Sequence, residues 1–262
     1  MNRPPLSPCK VISLRKYLPL NTAASNTNRW ASEMANLYNR NCLEVMREMQ
    51  AESVDAVITD PPYGVNKASW DGAIPPAEIW REVERILRPN GSLLVFGGLR
   101  YMPEVMQSIG NSLTYEWVIA WYKSNAMQFG KTGFSVLDLV LWYSKNGANF
   151  ENKMRDVIEY PIIPSENDNG HPTPKPEKIM IRLVNAVSGQ VIFDPFMGSG
   201  TTGVACAKLG RSFIGCEINP EYFAIAESRI KSAALQPALF ARSPTKRAPD
   251  LGRAAAQSEL FD

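Results

Sequence analysis

Val191-Ile192-Phe193-Asp194-Pro195-Phe196-Met197-Gly198-Ser199-Gly200-Thr201-Thr202 reads as an apolar strand, a glycine turn and the first turn of a helix. A strand buried on both faces is continuously apolar. Glycines let such a turn bring its backbone close to a ligand that faces the helix N-terminus. Nineteen residues beyond Gly198, at the end of the next apolar run, stands Glu217, where a carboxylate can accept both hydroxyls of a ribose. No GxxxxGK[ST] occurs, and neither a dinucleotide pyrophosphate nor a triphosphate is the expected ligand. With no phosphates to meet, Asp194 is available to an ammonium group. Ribose and amino-acid ammonium occur together in S-adenosylmethionine.

A second apolar run, Val54–Thr59, ends in Asp60-Pro61-Pro62-Tyr63-Gly64. Two prolines fix the backbone and remove two N–H donors, leaving the Pro61 carbonyl and the Asp60 carboxylate as rigid acceptors beside an aromatic ring. This suits a planar amino group on a heterocycle, with its two hydrogens on Asp60 and Pro61 and Tyr63 stacked on the ring. Those bonds favour a pyramidal nitrogen, aim its lone pair at a sulfonium methyl and stabilise the positive charge of attack.

Around these two turns, β-branched runs alternate with helical patterns, as in an α/β domain with a largely parallel sheet. Strands are expected at Val54–Thr59, Ser92–Phe96, Glu116–Trp121, Leu137–Tyr143, Val191–Phe193 and Ser212–Cys216. Helices are expected near Leu43–Gln50, Pro76–Leu87, Met102–Ile109, Pro176–Val187, Thr201–Leu209 and Pro220–Lys231, the last capped by Asn219. At 262 residues, with 45% apolar and 21% charged, the chain suits one sizeable domain with loose ends. The expected boundaries are a flexible arm over 1–34, a catalytic domain over 35–231 and a flexible tail over 232–262. From Ser144 to Pro174 the periodicity fades, the mark of a functional loop region.

The net charge of +2 hides a bias: Met1–Ser32 carries Arg3, Lys10, Arg15, Lys16 and Arg29 and no acid, which fits a polyanion contact or a solvated tail. No apolar run is long enough for a membrane span and no signal peptide is evident, so a cytoplasmic protein is expected. Four cysteines without a CxxC pair and a single histidine, His171, leave few candidates for zinc or Ser/His/Asp chemistry. No metal site is expected.

With these motifs together, the chain resembles the amino-group DNA methyltransferases of the N4-cytosine/N6-adenine family, beta arrangement, in which the DPPY turn precedes the cofactor loop. The resemblance spans about Ala35 to Lys231. It implies a Rossmann-like methyltransferase fold, a mixed, mostly parallel sheet flanked by helices. It implies cofactor contacts at Asp194, Phe196, Gly198, Gly200, Thr201 and Glu217, and a flipped base at Asp60, Pro61, Pro62 and Tyr63. His171-Pro172-Thr173-Pro174-Lys175-Pro176 is similar to the segment that opens the helix before the glycine loop, so Thr173 and Lys175 are expected at the cofactor's carboxylate. The family usually has Gly-Asp-Cys after the first strand. Here Arg40-Asn41-Cys42 stands, and the Asn41 amide oxygen is expected to accept from the cofactor's adenine amino group.

An Asp rather than a Ser before the two prolines leans, within the family, to adenine N6 over cytosine N4. Duplex DNA is the expected partner, in the manner of restriction–modification enzymes of bacteria and phage, with target recognition by loops within about Ser144–Gly170. C5-cytosine methylation needs a thiolate nucleophile, and the Pro8-Cys9 pair lies ahead of every core element. Protein glutamine or RNA methylation would more often use NPPY, and a DNA-binding module without turnover is the alternative of another class. Lys123, Lys131, Lys145, Lys153 and Arg155 are candidate phosphate contacts. In the tail, Gln236-Pro237-Ala238-Leu239-Phe240 and Gln257-Ser258-Glu259-Leu260-Phe261 both read QxxLF. The repeat resembles the peptide by which bacterial replication and repair proteins bind the sliding clamp, the other reading being tail packing on the domain.

Overall fold

The computed structural model describes residues 11–13, 35–62, 74–127, 129–130, 133–162 and 175–235. Eleven strands are described: β1 Val11–Ser13, β2 Ala35–Tyr38, β3 Val54–Thr59, β4 Leu87–Gly98, β5 Thr114–Tyr122, β6 Phe129–Gly130, β7 Gly133–Phe134, β8 Leu137–Ser144, β9 Val157–Glu159, β10 Val191–Asp194 and β11 Ser212–Cys216. The helices are α1 Cys42–Glu48, α2 Ala77–Ile86, α3 Met102–Ile109, α4 Glu177–Ala186, α5 Thr201–Leu209 and α6 Pro220–Leu235.

Nine strands form one sheet in the order β1-β2-β11-β10-β3-β4-β8-β5-β9, and β6 with β7 forms a separate ribbon. From β2 to β4 every pairing is parallel, β8 is antiparallel to both β4 and β5, and β9 returns parallel to β5. The expected α/β architecture is therefore present. Successive residues of β3 serve opposite layers: Ala56 and Ile58 pack with α4, α5 and α6, while Val54 and Val57 pack with α1, α2 and α3. That two-sided burial explains the unbroken apolar runs. The strand order reverses between β10 and β3, and the crevice beyond the carboxyl ends of strands at such a switch point is where α/β sheets hold ligands.

Four expectations change. β4 starts at Leu87, ahead of Ser92, because the Pro89-Asn90-Gly91 turn signal is absorbed: Asn90 takes φ +63° and the ladder shifts register between Val54 and Ala56. β2 and β9 are short strands without a period of their own, and β9 falls in the region expected to be loop. Val11–Ser13, within the arm expected to be loose, pairs antiparallel with Asn36–Tyr38. α6 continues past Lys231 to Leu235 because Ala233 and Ala234 are buried. Its expected cap is present, with Asn219 Oδ1 accepting from Glu221 N at 2.8 Å. Among the described residues, no helix is long and apolar enough to cross a membrane.

Candidate active site

The β10 strand ends at Asp194, and the chain turns through Gly198 (φ +51°) and Gly200 (φ +80°) into α5. Glycine takes such angles at no steric cost, and a Cβ on Gly200 would lie 2.9 Å from that of Ala226. Gly198, Gly200 and Gly203 do have the spacing of the dinucleotide turn. Against a pyrophosphate stands Asp194, a carboxylate at the strand end that would repel phosphates. Gly203 serves packing, since a Cβ there would sit 2.4 Å from Ile230 Cδ1.

Asp194 is buried. Thr59 Oγ1 donates to its Oδ1 at 2.8 Å, Thr202 Oγ1 to its Oδ2 at 2.7 Å and the Phe196 N–H to Oδ1 at 3.1 Å. Burial nevertheless pushes its pKa up to about 7, against those three donors and with help from the Asp60 charge. Glu217 is set by backbone: Gly198 N donates to Oε2 at 3.0 Å and Asn219 N to Oε1 at 2.8 Å. With about four acceptor positions on its two oxygens, the carboxylate still has room for a further donor. Burial raises the Glu217 pKa as well. Asn39 Nδ2 holds the Glu217 carbonyl at 2.8 Å.

The Asp60 turn lies beside this loop because β3 and β10 are neighbours, with Ile192 opposite Ala56 and Phe193 opposite Val57. Asp60 Oδ2 pairs with Lys175 Nζ, which also lies 5.3 Å over the Phe96 ring. Lys175 thus stands on Asp60, where the cofactor's carboxylate was its expected partner. Asp60, Pro62, Lys175, Asp194, Phe196, Gly198, Thr201 and Glu217 line one cleft, together with Asn41 and Cys42. Pro61 is buried and Gly200 caps α5. Tyr63 and Thr173 lie outside the described residues.

Asn41 lines the cleft and also serves its own helix. Its Oδ1 accepts from Leu43 N at 2.9 Å and caps α1, the preferred use of Asn at a helix start. Three donors went unnoticed in the sequence. Thr59 and Thr202 each carry a hydroxyl to Asp194. From α6, Arg229 Nη1 donates to Ser199 O and Ser199 Oγ, both at 2.7 Å, and so clamps the glycine loop. Arg229 and Lys231 are both cations inside α6, and nothing in the local sequence tells which of them reaches the glycine loop. The thiols do not supply a nucleophile: Cys42, Cys206 and Cys216 are free and buried, and burial pushes Cys42, at the cleft, up to about 12. Cys9 and His171 lie outside the described residues, and among the described ones no His/Cys/Asp/Glu cluster could hold a metal ion.

Two of the candidate phosphate contacts are corrected. Lys123 is buried and pairs with Asp138 at 2.9 Å. Lys145 is tied down, donating to the Leu87 carbonyl at 2.9 Å and meeting Glu52 at 3.4 Å. Lys153 and Arg155 are exposed beside β9, and Lys131 lies outside the described residues.

The sequence model of the N6/N4 DNA methylases matches residues 54–228, two thirds of the chain. The chain belongs to this family of DNA methylases. It is 30% identical over 231 residues to the Type II methyltransferase M.HpaI of Haemophilus parainfluenzae, covering 73% of each. It is 28% identical to the DNA adenine methyltransferase YhdJ of Escherichia coli K12, over 78% of this chain and 85% of that one. The crystal structure of the M1.HpyAVI–SAM complex superposes with a TM-score of 0.62 at 28% identity, over 75% of this chain and 99% of that one. The fold is that of the S-adenosylmethionine-dependent DNA methyltransferases, and S-adenosylmethionine is the cofactor. The cleft fits it: Glu217 has acceptors left for a ribose, and Asp194 is a desolvated carboxylate that a cation would return to its ionised form.

Proposed function

We propose that this chain methylates the N6 amino group of an adenine turned out of duplex DNA, at a specific site. The observation that carries the reading is an aspartate, Asp60, ahead of the two prolines on the strand that neighbours the glycine loop. When bound, S-adenosylmethionine supplies an electrophilic methyl on a sulfonium. Glu217 holds the ribose hydroxyls, Asp194 the ammonium, and Phe196, Gly198 and Thr201 form the wall beside them, with Gly200 making the turn into α5. Asp60 and the Pro61 carbonyl accept the two amino hydrogens, Pro62 keeps the turn rigid, and Tyr63 stacks on the base. The carboxylate of Asp60 stabilises the positive charge that grows on the nitrogen during attack. No covalent enzyme intermediate is needed.

N4-cytosine methylation is the second reading, because the family includes both amino groups. Incubation with labelled cofactor and unmodified DNA, followed by mass spectrometry of the nucleosides, separates the two. N6-methyladenine that vanishes in Asp60→Ala supports the proposal; N4-methylcytosine overturns the choice of base. Absence of any transfer leaves a DNA-binding module without turnover.

Lys153, Arg155 and Lys131 remain as phosphate contacts in this reading, with recognition by the short 144–170 region. We also infer that the two QxxLF segments dock on the sliding clamp; both lie outside the described residues. Binding of the tail peptide to purified clamp supports this, and binding unchanged by Leu260→Ala with Phe261→Ala refutes it for the second copy.

A further inference from the structure

We propose that Lys175 is a positioning residue that makes capture of the target base at Asp60 conditional on a filled cofactor cleft; the inference rests on the amino-methylation read above. The Lys175 side chain is only 16% exposed, its ammonium contacts Asp60 Oδ2, and both residues line the cleft that holds Asp194 and Glu217. An ammonium in contact occupies one carboxylate oxygen. It also draws charge from the carboxylate and so weakens it as an acceptor for a neutral amino group, since bonds to ions exceed bonds between neutral groups. While this contact holds, Asp60 is engaged. The methionine end of the cofactor brings a carboxylate into the same cleft, a competing anion for Nζ. The Phe96 ring, 5.3 Å below Nζ, gives the ammonium a contact it can keep as it turns from one anion to the other. Lys175 then leaves Asp60, Oδ2 is released to the base, and the base is taken second.

The test is equilibrium binding of a duplex carrying the site mapped from the methylated product, read by fluorescence anisotropy with and without saturating S-adenosylhomocysteine, which keeps the carboxylate. The wild type should bind at least about tenfold tighter with S-adenosylhomocysteine, the scale of one charge-assisted hydrogen bond. Lys175→Met should bind without S-adenosylhomocysteine as tightly as the wild type does with it, so that the ratio falls to about one. Lys175→Arg should keep part of the ratio, and Lys175→Met should add nothing in an Asp60→Asn background. A wild-type ratio near one, or an unchanged ratio in Lys175→Met, overturns the proposal. Should Lys175→Met fail to fold, Lys175→Gln makes the same comparison. The underlying reading fails separately, if the wild type transfers no methyl group to DNA. Transfer with an unchanged ratio removes only the role given to Lys175.

Discussion

Cofactor affinity should depend on pH through Asp194, and in a direction set by its surroundings. Burial holds its pKa at about 7 while three donors pull the other way. A cofactor ammonium at this carboxylate favours the ionised form, so below pH 7 binding must first remove a proton. With a free-state pKa of about 7 and a bound-state value well below 6, affinity at pH 6 should be about tenfold weaker than at pH 8. The perturbation that isolates Asp194 from Glu217 is Thr59→Val, which keeps the shape and deletes the hydroxyl donated at 2.8 Å. A hydrogen bond to a charged group contributes about 1.5–3 kcal/mol, so the Asp194 pKa should rise by about one to two pH units. The steep part of the affinity profile then moves up by the same amount, and affinity keeps rising above pH 8. Calorimetric titration with S-adenosylhomocysteine, in buffers of different ionisation enthalpy, reads both affinity and proton release. A flat affinity from pH 6 to 8, or a Thr59→Val profile that coincides with the wild type, would show that Asp194 does not meet the ammonium.

Arg229→Met should raise the cofactor KM about tenfold and leave kcat within about twofold, because it frees the glycine loop without touching the reacting atoms; steady-state kinetics with Arg229→Lys as an intermediate checks this. Lys123→Met strands Asp138 and should cost about 3 kcal/mol, or about 6–12 °C in Tm, with no change in the salt dependence of DNA binding. A shallower salt slope would return Lys123 to the phosphates. Gly200→Ala imposes φ +80° on a residue with a Cβ and presses it on Ala226; a loss of about 2–4 kcal/mol by chemical denaturation is expected, with weaker cofactor binding. Replacing Arg3, Lys10, Arg15, Lys16 and Arg29 by Gln should lower the salt slope by up to about 4 if the arm lies on phosphates, and an unchanged slope would remove that role.

What was legible in the chain was whatever announces itself within about ten residues. β3 and β11 have the expected ends because turn chemistry bounds an apolar run on each side, and α5 begins where glycine stops the turn. β2, β9 and β1 were not legible, since three or four residues become strand only through a partner elsewhere in the chain. Charged side chains were the least readable. Lys123 is fifteen residues from Asp138 and Lys145 is ninety-three from Glu52, so a tally of cations along the chain could not tell solvated lysines from paired ones. The same distance concealed the Asp60 partner, since Lys175 lies 115 residues away. At Asn41 the local geometry, one residue ahead of a helix, adds a capping role that the resemblance did not supply.

Methyl transfer needs donor and acceptor atoms held about 3–3.5 Å apart and in line, and these atoms are held by motifs 134 residues apart in the chain. The structure solves this without a long lever. Thr59 is both the last residue of β3 and a donor to Asp194, and Asp60 follows it directly into two prolines. The path from the glycine loop to Asp60, the carboxylate proposed to accept from the base, is thus one hydrogen bond and one peptide unit, inside a sheet pairing already fixed by Ile192 against Ala56 and Phe193 against Val57. Slippage of β3 by one residue would turn Thr59 away from Asp194 and reverse the faces served by Val57 and Ile58. The core that buries those two side chains therefore also sets the register of the chemistry. Thr202→Val leaves this path intact, whereas Thr59→Val cuts it. Both should disturb cofactor affinity, but only Thr59→Val should also lower the rate of a single turnover at saturating cofactor and DNA. Equal single-turnover rates in the two variants would show that the sheet alone positions Asp60.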